Sequence, residues 1–298
     1  MKKLIITGAS GLVGTELVYT VLNNSNYSLF LISTHPDILK EKYKSNSQIT
    51  SLSIDELERK TENEFDCIVH LAFARSKDPE QLAKSLDYTR KILTIAKHIR
   101  IPSYINISSQ SIYGDIHRPL WEEQMNAAPN YLYALGKYAT ELMTQLALQG
   151  TNTNWTNIRL ASVIENARFV SVFVRNMIEG KPLNIVGGSQ KCSFIDVQDV
   201  ANAIYKVITM QDKIMYKEVY NLGTGIQTPI VEIANLVNRI GHEEYSLPLT
   251  SINIEQKDIH LDVGMDNRLF MKEFNWKPLY SIDDMIRSLF ELHTGGHS

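Results

Sequence analysis

The sequence predicts an α/β protein, a doubly wound parallel sheet with a smaller C-terminal lobe. Three observations predict it. Short apolar runs alternate with amphipathic stretches through the first half of the chain. Several of these runs are apolar almost without interruption, as strands covered by helices on both faces must be. The first run is followed at once by Gly8, Gly11 and Gly14, the punctuation of a tight strand-to-helix turn.

Taken in order, strands are expected at residues 3–7, 28–32, 49–53, 66–71, 103–108 and 155–160, with helices at 11–22, 55–62, 79–99 and 131–148. The first helix follows from Leu12, Val13, Leu17, Val18, Val21 and Leu22, whose three-and-four spacing gives one buried face. Beyond the sixth strand, an amphipathic helix over 168–179, a turn at Gly187-Gly188-Ser189 and helices over 231–240 and 282–292 build the lobe. Residues 196–208 and 219–222 cross back to the main sheet. Asp196 and Asp199 resemble a catalytic carboxylate pair, but their place at a helix start predicts capping and bracing instead. Residues 294–298 are expected to fray.

Composition excludes several classes. With 298 residues, 44% hydrophobic and 21% charged, the chain suits one large α/β domain with a satellite, or two modest domains. A net charge of -3 and the lack of any basic run argue against nucleic acid and anionic membrane partners. No apolar run approaches the roughly 20 residues of a membrane span, and no signal-like stretch precedes the first strand. Two cysteines are too few for a disulfide framework or a four-ligand zinc site. A cytoplasmic protein with reduced thiols and no metal is the expectation.

The glycine turn reads as a pyrophosphate cradle formed by Gly8, Ser10, Gly11, Leu12, Val13 and Gly14. Backbone N–H groups at the start of the following helix, with its partial positive charge, face an incoming anion. Ligands of doubly wound sheets bind beyond the carboxyl ends of the strands, and the remaining motifs fall at such ends. The second strand runs into Ser33-Thr34-His35, where an NAD site usually has a carboxylate for the adenosine ribose. Small hydroxyls there, with His35 and Lys40 nearby, suit a 2′-phosphate, so NADP stands beside NAD. After the third strand, Ile54 and Asp55 are candidates for the adenine edge, although Asp55 equally suits a helix cap.

The fourth strand ends in His70-Leu71-Ala72-Phe73-Ala74. Leu71 and Ala72 are candidate cofactor contacts, because a small residue lets a flat group lie against the backbone. Phe73 is a packing residue or a wall of the substrate cleft, and His70 is structural. The fifth strand runs into Ser108-Ser109-Gln110-Ser111-Ile112-Tyr113-Gly114. In the helix that follows, Tyr133 alone of three nearby tyrosines has a lysine, Lys137, four residues on and therefore on the same face. A phenol with a pKa near 10 stays protonated at neutral pH unless a neighbouring cation favours the phenolate. Lys137 beside an oxidised nicotinamide would make Tyr133 a general base, or in reverse a general acid. Gly136 costs the helix about 1 kcal/mol, which signals a close approach there.

Together the TGASGLVG turn, His70-Leu71-Ala72, the 108–114 segment and Tyr133-x-x-x-Lys137 resemble the extended short-chain dehydrogenase/reductase family, the NAD-dependent epimerases, dehydratases and reductases of sugar nucleotides. The similarity continues through 194–201, 220–225 and Trp276-Lys277-Pro278, spanning essentially the whole chain. It implies a Rossmann fold in which 1–165, joined by 194–222, binds the dinucleotide. Residues 166–193 and 223–298 would then form the substrate-binding lobe. The resemblance assigns proton transfer to Tyr133, the nicotinamide ribose to Lys137 and the substrate oxygen to Ser109, with Ser108 and Ser111 competing for that last role. It further implies a homodimer through the helices at 79–99 and 131–148.

Members that eliminate water carry an Asp-Glu pair where this chain has Gln110 and Ser111, so the resemblance implies 4-ketoreduction or 4-epimerisation of a sugar nucleotide. The alternatives are reduction of a small non-nucleotide carbonyl compound and a non-catalytic dinucleotide-binding scaffold. Ser162, Arg168 and Phe169 are candidate substrate contacts, with Phe173 and Arg268 behind them. Cys192 stands where many members place an arginine for the substrate diphosphate, and residues 255–258 lack a second one.

Overall fold

A computed structural model describes residues 1–115, 120–259 and 261–295. Of the expected frayed tail, residues 296–298 lie outside the described residues. The main sheet has seven strands: β1 (Lys3–Thr7), β2 (Ser28–Ile32), β3 (Ile49–Leu52), β4 (Cys67–His70), β5 (Ser103–Ser109), β6 (Asn154–Leu160) and β7 (Val219–Leu222). Their spatial order is β7-β6-β5-β4-β1-β2-β3. The order reverses between β1 and β4, so a crevice opens beyond their carboxyl ends. Parallel pairing sets Thr7 beside Ile32 on one side and beside His70 on the other.

The helices follow from their local sequence. In α1 (Leu12–Asn24) the buried positions are Gly14, Leu17, Val18, Thr20 and Val21, a single face, and Ser25 closes the helix by donating its hydroxyl to the Val21 carbonyl at 2.7 Å. α4 (Pro79–His98) begins with proline after Asp78, whose carboxylate accepts from the Glu80 N–H at 3.0 Å. α5 (Leu132–Leu148) packs against α4.

Two short helices depart from the expectations. α2 (Pro36–Lys42) was not foreseen, because Leu39 is its one buried residue and no apolar period shows in the sequence. α3 spans Ile54–Glu58, and its cap is Ser53: the Ser53 hydroxyl accepts from Glu56 N–H at 3.2 Å while the Glu56 carboxylate accepts from Ser53 N–H at 2.7 Å. Asp55 is therefore not the cap; it lies exposed in the first turn.

The chain divides into two compact units. The first comprises 1–114, 125–160 and 200–220; the second comprises 115–124, 161–199 and 221–298. The division falls within α7 (Val197–Met210) and within β7, and it gives 161–165 and 194–199 to the second unit. In that unit α6 (Arg168–Ile178), α8 (Ile230–Tyr245) and α10 (Ile282–Thr294) share one core, built from Val170, Phe173, Met177, Val237, Leu289 and Phe290 among others. Another helix there, α9 (Arg268–Phe274), buries Phe270 and Phe274, four apart. Asp199 accepts from the N–H groups of Leu279 and Tyr280 at 2.9 to 3.1 Å, and Asp196 accepts from Gln198 N–H at 2.7 Å. Both carboxylates brace backbone, as expected.

His70 is fully enclosed at the end of β4. Its Nδ1 lies 2.8 Å from the Thr7 hydroxyl and its Nε2 lies 3.0 Å from the Thr89 hydroxyl. Thr89 donates its own proton to the Ser85 carbonyl at 2.9 Å, so Nε2 must carry a hydrogen and Nδ1 must accept from Thr7. Burial pushes this imidazole down to about 3, with the Lys137 ammonium adding to the shift. Below pH 6.5 the unfolded chain takes up a proton that the folded chain refuses, so stability falls as pH drops from 6.5 toward 3. Replacing His70 by Gln removes that uptake. Urea titrations between pH 6.5 and 4 are expected to show a slope in the wild type steeper than in His70→Gln by about 1 kcal/mol per pH unit.

Candidate active site

The glycine turn leaves β1 at Thr7 and enters α1. Gly8 has φ of +73°, and a Cβ on it would lie 2.8 Å from the Ala72 nitrogen. A Cβ on Gly14 would lie 2.2 Å from the Gly8 carbonyl oxygen. Side chains are thus shut out at both positions, by conformation and backbone contact at the first and by helix packing at the second. Gly11 caps α1 and has no side chain to offer the helix N–H groups, while Ser10, Gly11 and Leu12 are exposed and Val13 is half-buried. A cradle of this shape, lined by backbone N–H groups, fits a pyrophosphate.

Across the crevice, Ala72 N–H donates to the Thr7 hydroxyl at 3.2 Å and Ala74 N–H to the Ser85 hydroxyl at 3.2 Å. Side-chain hydroxyls thereby hold the loop after β4 flat beside Gly8. On the other flank Ser33 accepts from the His35 N–H at 3.0 Å, and Thr34 is exposed. Lys40, a candidate for a 2′-phosphate, is instead paired with Asp37 at 3.1 Å, an exposed pair of small energetic weight.

The third component is the serine–tyrosine–lysine set. Ser109 is the last residue of β5; its hydroxyl accepts from the Ser111 N–H at 3.2 Å and lies close enough to the Tyr133 phenol to pull its pKa down. Of the three competing serines, Ser109 is the one whose hydroxyl acts on the Tyr133 phenol. Lys137 is 5% exposed and donates to the Ile107 carbonyl at 2.6 Å, while its ammonium sits 4.8 Å from the centre of the Phe73 ring. Phe73 also meets Tyr133 edge-on at 5.9 Å. Tyr133 and Lys137 thus flank one phenyl ring.

Electrostatics adds to what spacing shows. Burial pushes the Tyr133 phenol above its ordinary range; the Arg75 guanidinium and the Ser109 hydroxyl pull it back, and Lys137 has no resolved part. Lys137 itself is pushed down to about 7 by burial, with Glu141 opposing the shift. A buried amine near neutrality exerts less of a cation's pull than the spacing alone suggested. Arg75, two residues beyond Phe73, was not singled out from the sequence, because one exposed arginine in a loop carries no periodic signal.

The substrate candidates from the C-terminal half all belong to the second unit. Phe169 is half-buried in that unit's core, 5.7 Å from the Phe173 ring and 5.8 Å from the Phe194 ring, so it packs. Phe173 is buried with it. Arg168 is exposed at the start of α6, Ser162 is half-buried, and Arg268 is paired with Asp266. Cys192 is half-buried, and burial raises its thiol to about 11, so it is an inert thiol at neutral pH. Among the described residues no cluster of His, Cys, Asp or Glu could hold a metal ion.

A parallel sheet with a glycine cradle after its first strand, and a serine–tyrosine–lysine set between its fifth strand and the next helix, is the arrangement of an extended short-chain dehydrogenase/reductase. The chain belongs to the NAD dependent epimerase/dehydratase family, whose model matches residues 4–223. It is 23% identical to dTDP-glucose 4,6-dehydratase of Streptomyces niveus, over 85% of this chain and 86% of that protein. It is 20% identical to CDP-abequose synthase of Salmonella muenchen, over 98% of each. Among solved structures, UDP-glucuronic acid 4-epimerase from Bacillus cereus in complex with NAD superposes with a TM-score of 0.78 at 21% identity, over 97% of this chain and 99% of that one.

The cradle makes a direct prediction. Gly14→Ala places a methyl group against the Gly8 carbonyl and is expected to lower unfolding stability by about 1–3 kcal/mol in chemical denaturation.

Proposed function

We propose that this protein is an NAD(P)-dependent oxidoreductase or epimerase of a sugar nucleotide or related carbohydrate, of the 4-ketoreductase or 4-epimerase type. The observation that carries the proposal is the Ser109 hydroxyl close to the Tyr133 phenol, with the buried Lys137 amine on the same helix and the glycine cradle in the same unit. Gly8, Ser10, Gly11, Leu12, Val13 and Gly14 would hold the pyrophosphate. Ser33 and Thr34 would meet the adenosine ribose, Ile54 and Asp55 the adenine, Leu71 and Ala72 the flat middle, and Tyr133 and Lys137 the nicotinamide ribose. When bound, the nicotinamide supplies the carbon that takes or gives the hydride.

The chain's own groups do the rest. Tyr133 exchanges a proton with the substrate oxygen, and Ser109 orients that oxygen through its hydroxyl. The raised phenol keeps Tyr133 protonated at neutral pH, which suits the direction in which it donates, ketone to alcohol. Elimination of water needs a further acid and base, and the positions after Ser109 hold Gln110 and Ser111 instead. NADP stands beside NAD, because Ser33-Thr34-His35 carries no carboxylate to repel a 2′-phosphate. A second reading, reduction of a small non-nucleotide carbonyl compound, is favoured by Cys192, whose thiol cannot grip a diphosphate as an arginine does.

The described residues contain no helix long and apolar enough to cross a membrane, and both cysteines are free, which supports a cytoplasmic setting. A homodimer through α5 fits as well: Leu135, Leu142 and Leu146 stand exposed at heptad-like spacing on one face of that helix. Sedimentation of Leu142→Glu is expected to give monomers where the wild type gives dimers.

The function is tested by titrating the purified protein with NADH and NADPH and assaying UDP-, dTDP-, GDP- and CDP-hexoses and their 4-keto forms. Tyr133→Phe is expected to lower kcat by about 10²–10⁴ while leaving the dinucleotide Kd within about threefold of wild type. Binding of neither dinucleotide overturns the proposal.

A further inference from the structure

The aromatic ring at position 73 has a counterpart in the helix. A Cβ at Gly136 would lie 2.6 Å from Phe73 Cζ and 2.3 Å from Leu82 Cδ1, so the missing methyl is the space that this ring and Leu82 fill. Gly136 is buried within α5, where glycine costs about 1 kcal/mol against alanine, and the packing explains why that cost is carried. The ring so admitted has two neighbours, the Lys137 ammonium at 4.8 Å and the Tyr133 ring at 5.9 Å. On another side the ammonium is engaged by the Ile107 carbonyl at 2.6 Å, and the residue is 5% exposed.

We infer that Phe73 is a movable cover on the Lys137 amine: the ring seated in the Gly136 slot shields Nζ, and it must swing aside before that amine can hydrogen-bond the ribose of an incoming dinucleotide. The inference rests on the dinucleotide-binding reading above and adds a gating step to it. The cover works by competition. Lys137 has three donors, of which Ile107 takes one, and a cation over a ring face in a dry site is a favourable contact that the ribose hydroxyls must replace. Apparent affinity is then reduced by the fraction of molecules whose amine is covered. Phe73 is accordingly a positioning residue, and Gly136 is what allows it its seat.

Two variants test the cover from opposite sides. Phe73→Ala removes the ring; Gly136→Ala leaves the ring but puts a methyl into its slot. Far-UV circular dichroism and thermal melting first establish that each is folded, and Phe73→Leu serves as a third variant that keeps the bulk without the π face.

Competitive acetylation with trace acetic anhydride, read peptide by peptide in the absence of any dinucleotide, reports access to Lys137 with the exposed Lys84 as internal reference. Labelling of Lys137 is expected to rise about tenfold in Phe73→Ala and by a smaller factor in Gly136→Ala. Stopped-flow binding of NAD⁺ and of NADP⁺ is expected to show a matching rise in association rate for whichever dinucleotide the wild type binds. Unchanged Lys137 labelling in folded Phe73→Ala overturns the cover. So does an association rate that is unchanged or reduced while labelling rises. A wild type that binds neither dinucleotide, with Lys137 labelling still rising on ring removal, overturns instead the function on which the gating step rests.

Discussion

Thr7 and His70 end neighbouring strands in register, and the hydrogen bonds between and around them fix the edge of the sheet where the cradle lies. The Thr7 hydroxyl donates to His70 Nδ1 and accepts from Ala72 N–H; His70 Nε2 donates to Thr89, which donates to Ser85. Every donor in this relay has one acceptor and every step is buried or nearly so, which leaves the imidazole a single tautomer. Because Ala72 is held this way, Gly8 can pass with its Cα hydrogen where a side chain would strike the Ala72 nitrogen. The glycine turn and the His70-Leu71-Ala72 loop are therefore one structure, two strand ends built against each other.

A second set of buried polar contacts fixes α5 against the sheet. One turn beyond Lys137, Glu141 receives Arg159 through Nε and Nη2 at 2.9 to 3.3 Å, and Arg159 Nη1 donates to the Tyr113 hydroxyl at 2.8 Å. Alongside, Asn106 donates to Asn157 at 2.8 Å and to Thr140 at 3.3 Å. Buried ion pairs add little net stability over apolar packing, yet removing one partner strands the other at a cost of several kcal/mol. Such a network penalises any slip of the helix. Register along α5 fixes where Tyr133 and Lys137 stand, so these buried polar groups set the positions of both side chains.

Much of this was legible in the sequence because it is periodic or punctuated. The six N-terminal strands show as apolar runs, α1 shows by its spacing, and the Tyr133–Lys137 pair shows because four residues make one helical turn. What was not legible depends on contacts across the chain. Asp55 and Ser53 are both good caps; only the reciprocal bond with Glu56 decides for Ser53. That Phe169 packs half-buried against Phe173 and Phe194 is likewise a contact across the chain, which no local pattern announces. α2 buries one leucine, which is too little apolar surface to leave a pattern. The protonation of Lys137 was not legible either: spacing reports proximity, whereas the protonation of an amine depends on how dry its surroundings are.

The two units divide the residues singled out from the sequence between them. Ser109, Tyr133, Lys137, Phe73 and the cradle glycines all belong to the first unit, where strand register and helix packing hold them. Ser162, Arg168, Phe169 and Cys192 belong to the second, whose core of α6, α8 and α10 is separate. A change in the core of the second unit need not disturb the contacts that hold Ser109 to Ser111 and Lys137 to Ile107 in the first. The departures from the family pattern fall in the second unit, at 192 and 255–258, whereas Ser109, Tyr133 and Lys137, which match it, lie in the first.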